Sequence, residues 1–259
     1  MAKPKTINGR SPRQQQRLQE LILDRMVAKY QRRIGKEIAR AMRQAARNLE
    51  KGAFLPVDSV RPEHEKRMSR ILLQLWNESG QATQDTLIDT AKHNRLIMEL
   101  KLVELEGTPR ADAIMADFLR QYGALKITQI TATTLDDINN VVSQGVTDGL
   151  SELEIGRLVY LVAPTKGASR AQTIARTESH QAANVTAQGT ANAAGLTMRR
   201  QWVSASGERT RKDHREANGQ IVDMHEPFKV GGENLMYPGD PAGSAKNVIN
   251  CRCAVAFIL

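Results

Sequence analysis

RRQWVSASGERTRKDHREANGQIVDMHEPFKVGGENLMYPGDPAGSAKNVINCRCAVAFIL, residues Arg199–Leu259, differs in composition from everything before it. It holds both cysteines, two of the five histidines, Trp202, Phe257 and closely spaced glycines and prolines. Met198–Val203 alternates as a strand does. Asn218-Gly219 is a two-residue hairpin signal that would join an arm at Lys212–Glu216 to Ile221–Met224. From Asn247 the period of two returns, with Ile249, Cys251, Cys253, Val255 and Phe257 on one face and Val248, Asn250, Arg252 and Ala254 on the other. Short strands and tight turns predict a small antiparallel sheet.

Upstream of it lies a second kind of grammar. Pro164–Gly167 reads as a boundary, after which Ser169 opens an alanine-rich helix ended by Gly195. Steps of 100° put Ala171, Ile174, Ala175, Ala182, Val185 and Gly189 on one face, small enough for close packing. Glu178 falls within that face, whereas Arg176, His180 and Asn184 fall on the other side. A carboxylate on a packed face needs a partner, since an unpaired buried charge costs several kcal/mol. The expected role is a structural ion pair, with catalysis as the lesser reading.

Residues 18–163 are predicted to be helical throughout. Leu18, Ile22, Met26, Tyr30, Ile34, Ile38, Met42, Ala45 and Leu49 recur at steps of three and four, marking one long amphipathic helix that Gly52 and Pro56 close. Its other flank carries Arg25, Arg32, Lys36, Arg40, Arg43 and Arg47. Further helices are read at Met68–Trp76 and Thr86–Leu105, separated near Gly80, then at Ala111–Tyr122 and at segments capped by Thr134 and Ser151. His64 reads as part of a solvated helix start. Residues 1–17 read as a flexible basic arm. The fold class is therefore α+β: an extended, mainly helical N-terminal region (18–163), then a small C-terminal module (164–259) of one alanine-rich helix packed on a short antiparallel sheet.

Composition narrows the function. The net charge of +9 lies entirely in residues 1–50, which hold 13 Lys/Arg against 4 Asp/Glu, while the remainder is balanced. A concentrated basic arm suits a polyanion, and with only 4% aromatics it would grip double-stranded DNA through phosphate without sequence preference. No apolar run is long enough for a membrane span or a secretory signal, so a cytoplasmic origin is expected. Two cysteines one residue apart do not form a disulfide framework. They read first as core fillers, and second as zinc ligands with His214, the fourth ligand coming from Asp213, His225, Glu178 or water.

Several separated motifs carry a resemblance. Ile174-Ala175-Arg176-Thr177-Glu178-Ser179-His180, then Trp202, then Glu208-Arg209-Thr210-Arg211 leading to His214 and Gly219-Gln220-Ile221, then Asn250-Cys251-Arg252-Cys253 resemble the bacteriophage Mu F-like minor head protein (phage head morphogenesis) family. Leu235–Pro241 is similar to a loop of its members, and the resemblance covers about residues 134–259. It implies a non-enzymatic protein of the virion, present in few copies, associated with the portal protein and the capsid interior, acting in assembly, DNA packaging or ejection. Assembly would take place in the host cytoplasm. Some members carry an extra cysteine pair near the positions of Thr210 and His214, which would complete a zinc site; this chain has only His214 there. The alternative is a metal-dependent nuclease or transferase-like enzyme using Arg176, Glu178, His180 and His214. No phosphate loop or carboxylate cluster accompanies them.

Overall fold

The computed structural model describes residues 10–51, 59–93, 109–194, 197–205 and 207–258. In chain order the elements are helices α1 (Pro12–Glu50), α2 (Arg61–His93), α3 (Ala111–Phe118), α4 (Ala124–Thr147) and α5 (Glu152–Ala193), with a π-helical turn at Leu119–Gly123 between α3 and α4. Then come β1 (Arg199–Val203), α6 (Lys212–Glu216), β2 (Ile221–Asp223), β3 (Phe228–Val230), β4 (Glu233–Leu235), α7 (Ala245–Val248) and β5 (Ala254–Ile258). The α+β reading holds. Among the described residues, no helix is long and apolar enough to cross a membrane.

The long first helix forms as its pattern dictates. Tyr30, Ile34, Ile38, Met42, Ala45 and Leu49 are buried, with Leu23 and Val27 continuing the stripe. Helix α1 begins at Pro12, a residue favoured at a helix start because its missing N–H would have had no partner there. The expected arm therefore becomes helical from that point, while residues 1–9 lie outside the described residues, as do Gly52, Pro56 and Gly195.

Several expected breaks are not breaks. Gly80 lies inside α2, where a Cβ would meet Thr186 Oγ1 at 2.7 Å and Met115 Cγ at 3.2 Å; it serves close helix packing. The continuation of this helix expected as far as Leu105 passes outside the described residues. Thr134 is buried inside α4 and donates its hydroxyl to the Ile130 carbonyl, so it caps nothing. Ser151 does cap: its N–H and hydroxyl both reach Glu154 Oε2, at 2.8 and 2.6 Å, and its Oγ accepts from the Glu154 N–H at 3.4 Å. The boundary at Pro164–Gly167 is absent too, because α5 runs unbroken through Pro164. A proline there removes a ladder bond and opposes the helix by about 3 kcal/mol. Tertiary packing overrides it, for at Gly167 a Cβ would lie 2.7 Å from the Gly35 carbonyl oxygen of α1.

The fold divides into two compact units built from discontinuous segments. One comprises Met1–Met26, Leu75–Leu119 and Arg176–Leu259; the other comprises Val27–Gln74 and Arg120–Ala175. In the second unit His64 is wholly buried, with Nδ1 3.1 Å from Glu37 Oε1, correcting the expectation of a solvated helix start. Burial pushes the Glu37 carboxyl upward, but hydrogen bonds from His64 and Arg40 outweigh it and leave the group below the usual carboxylate range.

In the first unit the sheet order is β2-β1-β5, antiparallel throughout, and β3 and β4 form a separate hairpin. Arg200 opposes Phe257, and Trp202 opposes Val255. Trp202, Phe228, Val230, Leu235, Cys251, Cys253, Val255 and Phe257 form one core cluster, with Ala187 and Ala191 of α5 packed among them. The segment Lys212–Glu216 is a helix instead of a hairpin arm. Charged residues there have weak strand propensity, and β2 pairs with β1. Gly219 still makes the expected turn, at φ +85°. The predicted strand from Asn247 starts only at Ala254, because α7 and a left-handed Asn250 (φ 64°) come first. Ile249 is 43% exposed and leaves the predicted face, whereas both cysteines keep it.

Candidate functional site

Arg176, Arg209, Arg211 and Arg252 line a cavity of about 640 Å³ in the first unit, together with Glu20, Glu208, Thr210, Asn250, His214, Cys251 and Cys253. Each wall has a local cause. Thr210 Oγ1 donates to the Ala205 carbonyl at 2.7 Å and folds the turn before α6. That turn presents Arg209 and Arg211, and the Arg211 guanidinium donates to the Ile249 carbonyl at 2.5 Å. The Arg176 guanidinium, two residues before Glu178 on α5, donates to Asn250 Oδ1 at 3.0 Å. Asn250 in turn donates its N–H to Thr177 Oγ1 at 2.9 Å, which pins the left-handed residue preceding Cys251.

At one wall three buried side chains converge. His214 Nδ1 lies 3.3 Å from Cys253 Sγ and 3.6 Å from Cys251 Sγ. All three ligand atoms lie within 4.8 Å of one another. Trp202 packs edge-on to the His214 ring, centroids 5.6 Å apart at 86°. The two thiols titrate in opposite directions. The Cys253 thiol hydrogen-bonds to Cys251 and pulls it below the ordinary thiol value, an effect that outweighs burial. The same contact, reinforced by burial, pushes Cys253 well above that value. The donor set of two sulfurs and one imidazole suits zinc and is a poor match for magnesium or calcium. The fourth ligands named from sequence are elsewhere: Asp213 pairs with Lys246 at 2.8 Å, His225 is exposed in a turn, and Glu178 is bonded to a tryptophan.

Glu178 is buried, and its Oε2 accepts the Trp76 indole N–H of α2 at 2.8 Å. His180 and Asn184 do not fall on a solvent side, since every residue from Thr177 to Gln188 is buried. The alanine-rich helix is enclosed all round there, so a face read by period alone loses its meaning. Burial, with Arg252 and Arg176 nearby, lowers the His180 pKa to about 3, and neither ring nitrogen has a partner among the described residues. Asn184 is fully committed: Nδ2 donates to the Pro238 and Cys253 carbonyls, and Oδ1 accepts from Gln19 and the Val255 N–H. Of the four residues suggested for an enzyme, only Arg176 and His214 line the cavity.

Sequence reasoning misses Arg200. Its side chain is wholly buried, donates to Gln188 Oε1 at 3.0 Å and to the backbone carbonyls of Asp223, Met236 and Glu226, and lies over the Phe228 ring. The signal that could find it is the strand alternation, which puts Arg200 on the same face as Trp202. The loop Leu235–Pro241 is fastened by Asp240, which accepts the Met236 N–H at 2.7 Å and the Ala242 N–H at 2.9 Å.

On α1, Arg25, Arg32, Lys36 and Arg47 are exposed. Arg40 is partly spent on Glu37 at 2.8 Å, and Arg43 lies over the Tyr160 ring at 5.7 Å.

Residues 136–256 match the family described as Phage Mu protein F like protein. The chain is 33% identical over 128 residues to "Minor head protein GP7" of Bacillus phage SPP1, covering 47% of this chain and 41% of that protein. It is 32% identical over 125 residues to "NAD(+)--arginine ADP-ribosyltransferase EFV" of Enterococcus faecalis (strain ATCC 700802 / V583), covering 47% of this chain and 25% of that protein. To "Uncharacterized protein YqbB" of Bacillus subtilis (strain 168) it is 24% identical over 130 residues, 49% of this chain and 42% of the relative. The chain thus spans between a quarter and about two fifths of these curated relatives. No solved structure matches it.

Proposed function

Since residues 136–256 match the Phage Mu protein F like family, we propose that the chain is a phage minor head protein acting in head morphogenesis. The observation that carries this reading is the meeting of motifs that lie far apart in the matched segment. Arg176, Trp202, His214 and Cys251-Arg252-Cys253 gather around one core and one cavity. The SPP1 relative bearing the name minor head protein aligns with 47% of the chain. The relative named as a transferase is covered over only a quarter of its length, so the common part is no more than a fraction of that enzyme. Glu178 and His180, two of the four residues that the enzyme alternative would use, are enclosed by packing and do not line the cavity.

The C-terminal module docks on the portal protein and the capsid interior, and the protein resides in the virion head after assembly in the host cytoplasm. The exposed residues Arg25, Arg32, Lys36 and Arg47 of α1 meet DNA phosphates during packaging or ejection. Co-expression of the tagged chain with the portal and major capsid proteins of its own genome tests the docking. Portal should be captured with it, and capture of neither partner would sink the reading. For DNA, filter retention of a duplex should weaken with salt. The triple change Arg32→Gln, Lys36→Gln, Arg47→Gln should lower the slope of log affinity against log salt by about 0.9 for each phosphate that no longer meets a cation. An unchanged slope would remove DNA from the proposal.

A further inference from the structure

We propose that His214 Nδ1 and the Sγ atoms of Cys251 and Cys253 bind one zinc ion, with the fourth coordination position open to the arginine-lined cavity. Zinc bonds of about 2.3 Å to sulfur and about 2.0–2.1 Å to imidazole, at a tetrahedral angle, place the nitrogen roughly 3.5 Å from each sulfur. The observed separations of 3.3 and 3.6 Å straddle that value. Cys251 and Cys253 are also hydrogen-bonded to each other, so the imidazole nitrogen and the two sulfurs form one compact three-atom set. A nitrogen nearly equidistant from two sulfurs is the arrangement of atoms that share a common centre.

The scaffold presents these donors from two separate segments. His214 comes from α6, its ring held edge-on by Trp202. The two cysteines flank Arg252 just after the left-handed Asn250, which the Thr177 hydroxyl fastens to α5. All three donors are buried, yet all three also border the cavity, so an ion has an entry path and a place for a water molecule. Arg176, Arg209, Arg211 and Arg252 around that opening disfavour a bare hard cation and favour a centre whose two thiolates cancel the charge of the metal. The ion would lock α6 to the segment leading into β5, and this holds whether or not the module docks on a portal.

The test uses the full chain, purified untagged under reducing conditions without chelator. Elemental analysis should find about one zinc per chain, falling below roughly a tenth in Cys251→Ser/Cys253→Ser. Cobalt(II) added to metal-stripped wild-type protein should give thiolate-to-cobalt charge-transfer absorption that saturates at one equivalent and is displaced by zinc. This arm needs no variant and so survives a variant that fails to fold. Wild-type protein without zinc that also gives no thiolate-cobalt absorption overturns the site, as does full zinc content in the double serine variant.

Discussion

Glu178, which the helical period places on a packed face where its carboxylate needs a partner, accepts an indole N–H. Removing the carboxylate therefore strands a neutral donor, Trp76 Nε1, inside the core. An unpartnered buried donor costs about 1–3 kcal/mol. Glu178→Ala should lower the stability of the full chain by about that amount in denaturant unfolding. Glu178→Gln, which keeps an acceptor oxygen in place, should lose less than half as much. Equal losses in both would show that the charge itself, and not the bond to Trp76, holds the helix.

His180 supplies a pH dependence whose sign is fixed by burial. The folded state holds it neutral, with its pKa lowered to about 3, while the unfolded chain takes up a proton near the ordinary value of about 6.5. The unfolded state binds more protons across that interval, so stability is full above it and is lost as the pH falls from about 6.5 toward 3. The slope reaches ~1.4 kcal/mol per pH unit. Denaturant titrations at pH 7.5 and 5 should differ by about 2 kcal/mol more in the parent than in His180→Leu. Parallel pH profiles would mean that the imidazole is hydrated. The period places His180 correctly on the helix but on the wrong side of the solvent boundary, because a period assigns faces without saying how many of them are covered. Arg200 is legible as a neighbour of Trp202 on the strand, yet nothing local announces that four protein oxygens and a phenyl ring surround its guanidinium.

Helix α2 shows why glycine misleads at the scale of the element. Gly80 reads as a break, but α2 passes through it because Thr186 of α5 and Met115 of α3 come too close for a side chain. Gly80→Ala should destabilise the chain even though alanine gains roughly 1 kcal/mol in helix propensity, since a Cβ would stand 2.7 Å from Thr186 Oγ1. Thr186→Ala made in the same chain should restore much of the stability, and a double-mutant cycle measures the coupling. Additive effects would show that the two helices give way freely. Gly167 and Pro164 teach the same lesson in α5: the turn-like Pro-Thr-Lys-Gly run sits in a helix because its glycine admits a neighbouring backbone. By contrast, the aliphatic stripe of α1 is readable residue by residue, since a long amphipathic pattern carries its own redundancy.

For the whole molecule, the boundary expected at residue 164 divides what the fold joins. The unit that contains Arg176–Leu259 also contains Met1–Met26 and Leu75–Leu119. Gln19 bonds to Asn184, Trp76 to Glu178, and Gln84 to Thr190. A fragment of residues 164–259 should therefore lack cooperative unfolding and show reduced helix content by circular dichroism, whereas the full chain unfolds with a sharp transition. A fragment that melts as sharply as the parent would show that the other segments are dispensable.

The likeness of residues 136–256 to the Phage Mu protein F like family, the α+β class, the long amphipathic helix, the strand at Met198–Val203 and the approach of Cys251 to Cys253 are written in local patterns: order of motifs, period and turn chemistry. These survive because each rests on neighbours within a few residues. Three things are settled only by packing at long range. These are the burial of α5 on every side between Thr177 and Gln188, the indole that answers Glu178, and the meeting of His214 with both sulfurs across nearly forty residues. Local propensities are worth about a kcal/mol or less per residue, and a packed core collects many times that. Where the two disagree, as at Gly80, Pro164 and Lys212–Glu216, the core decides.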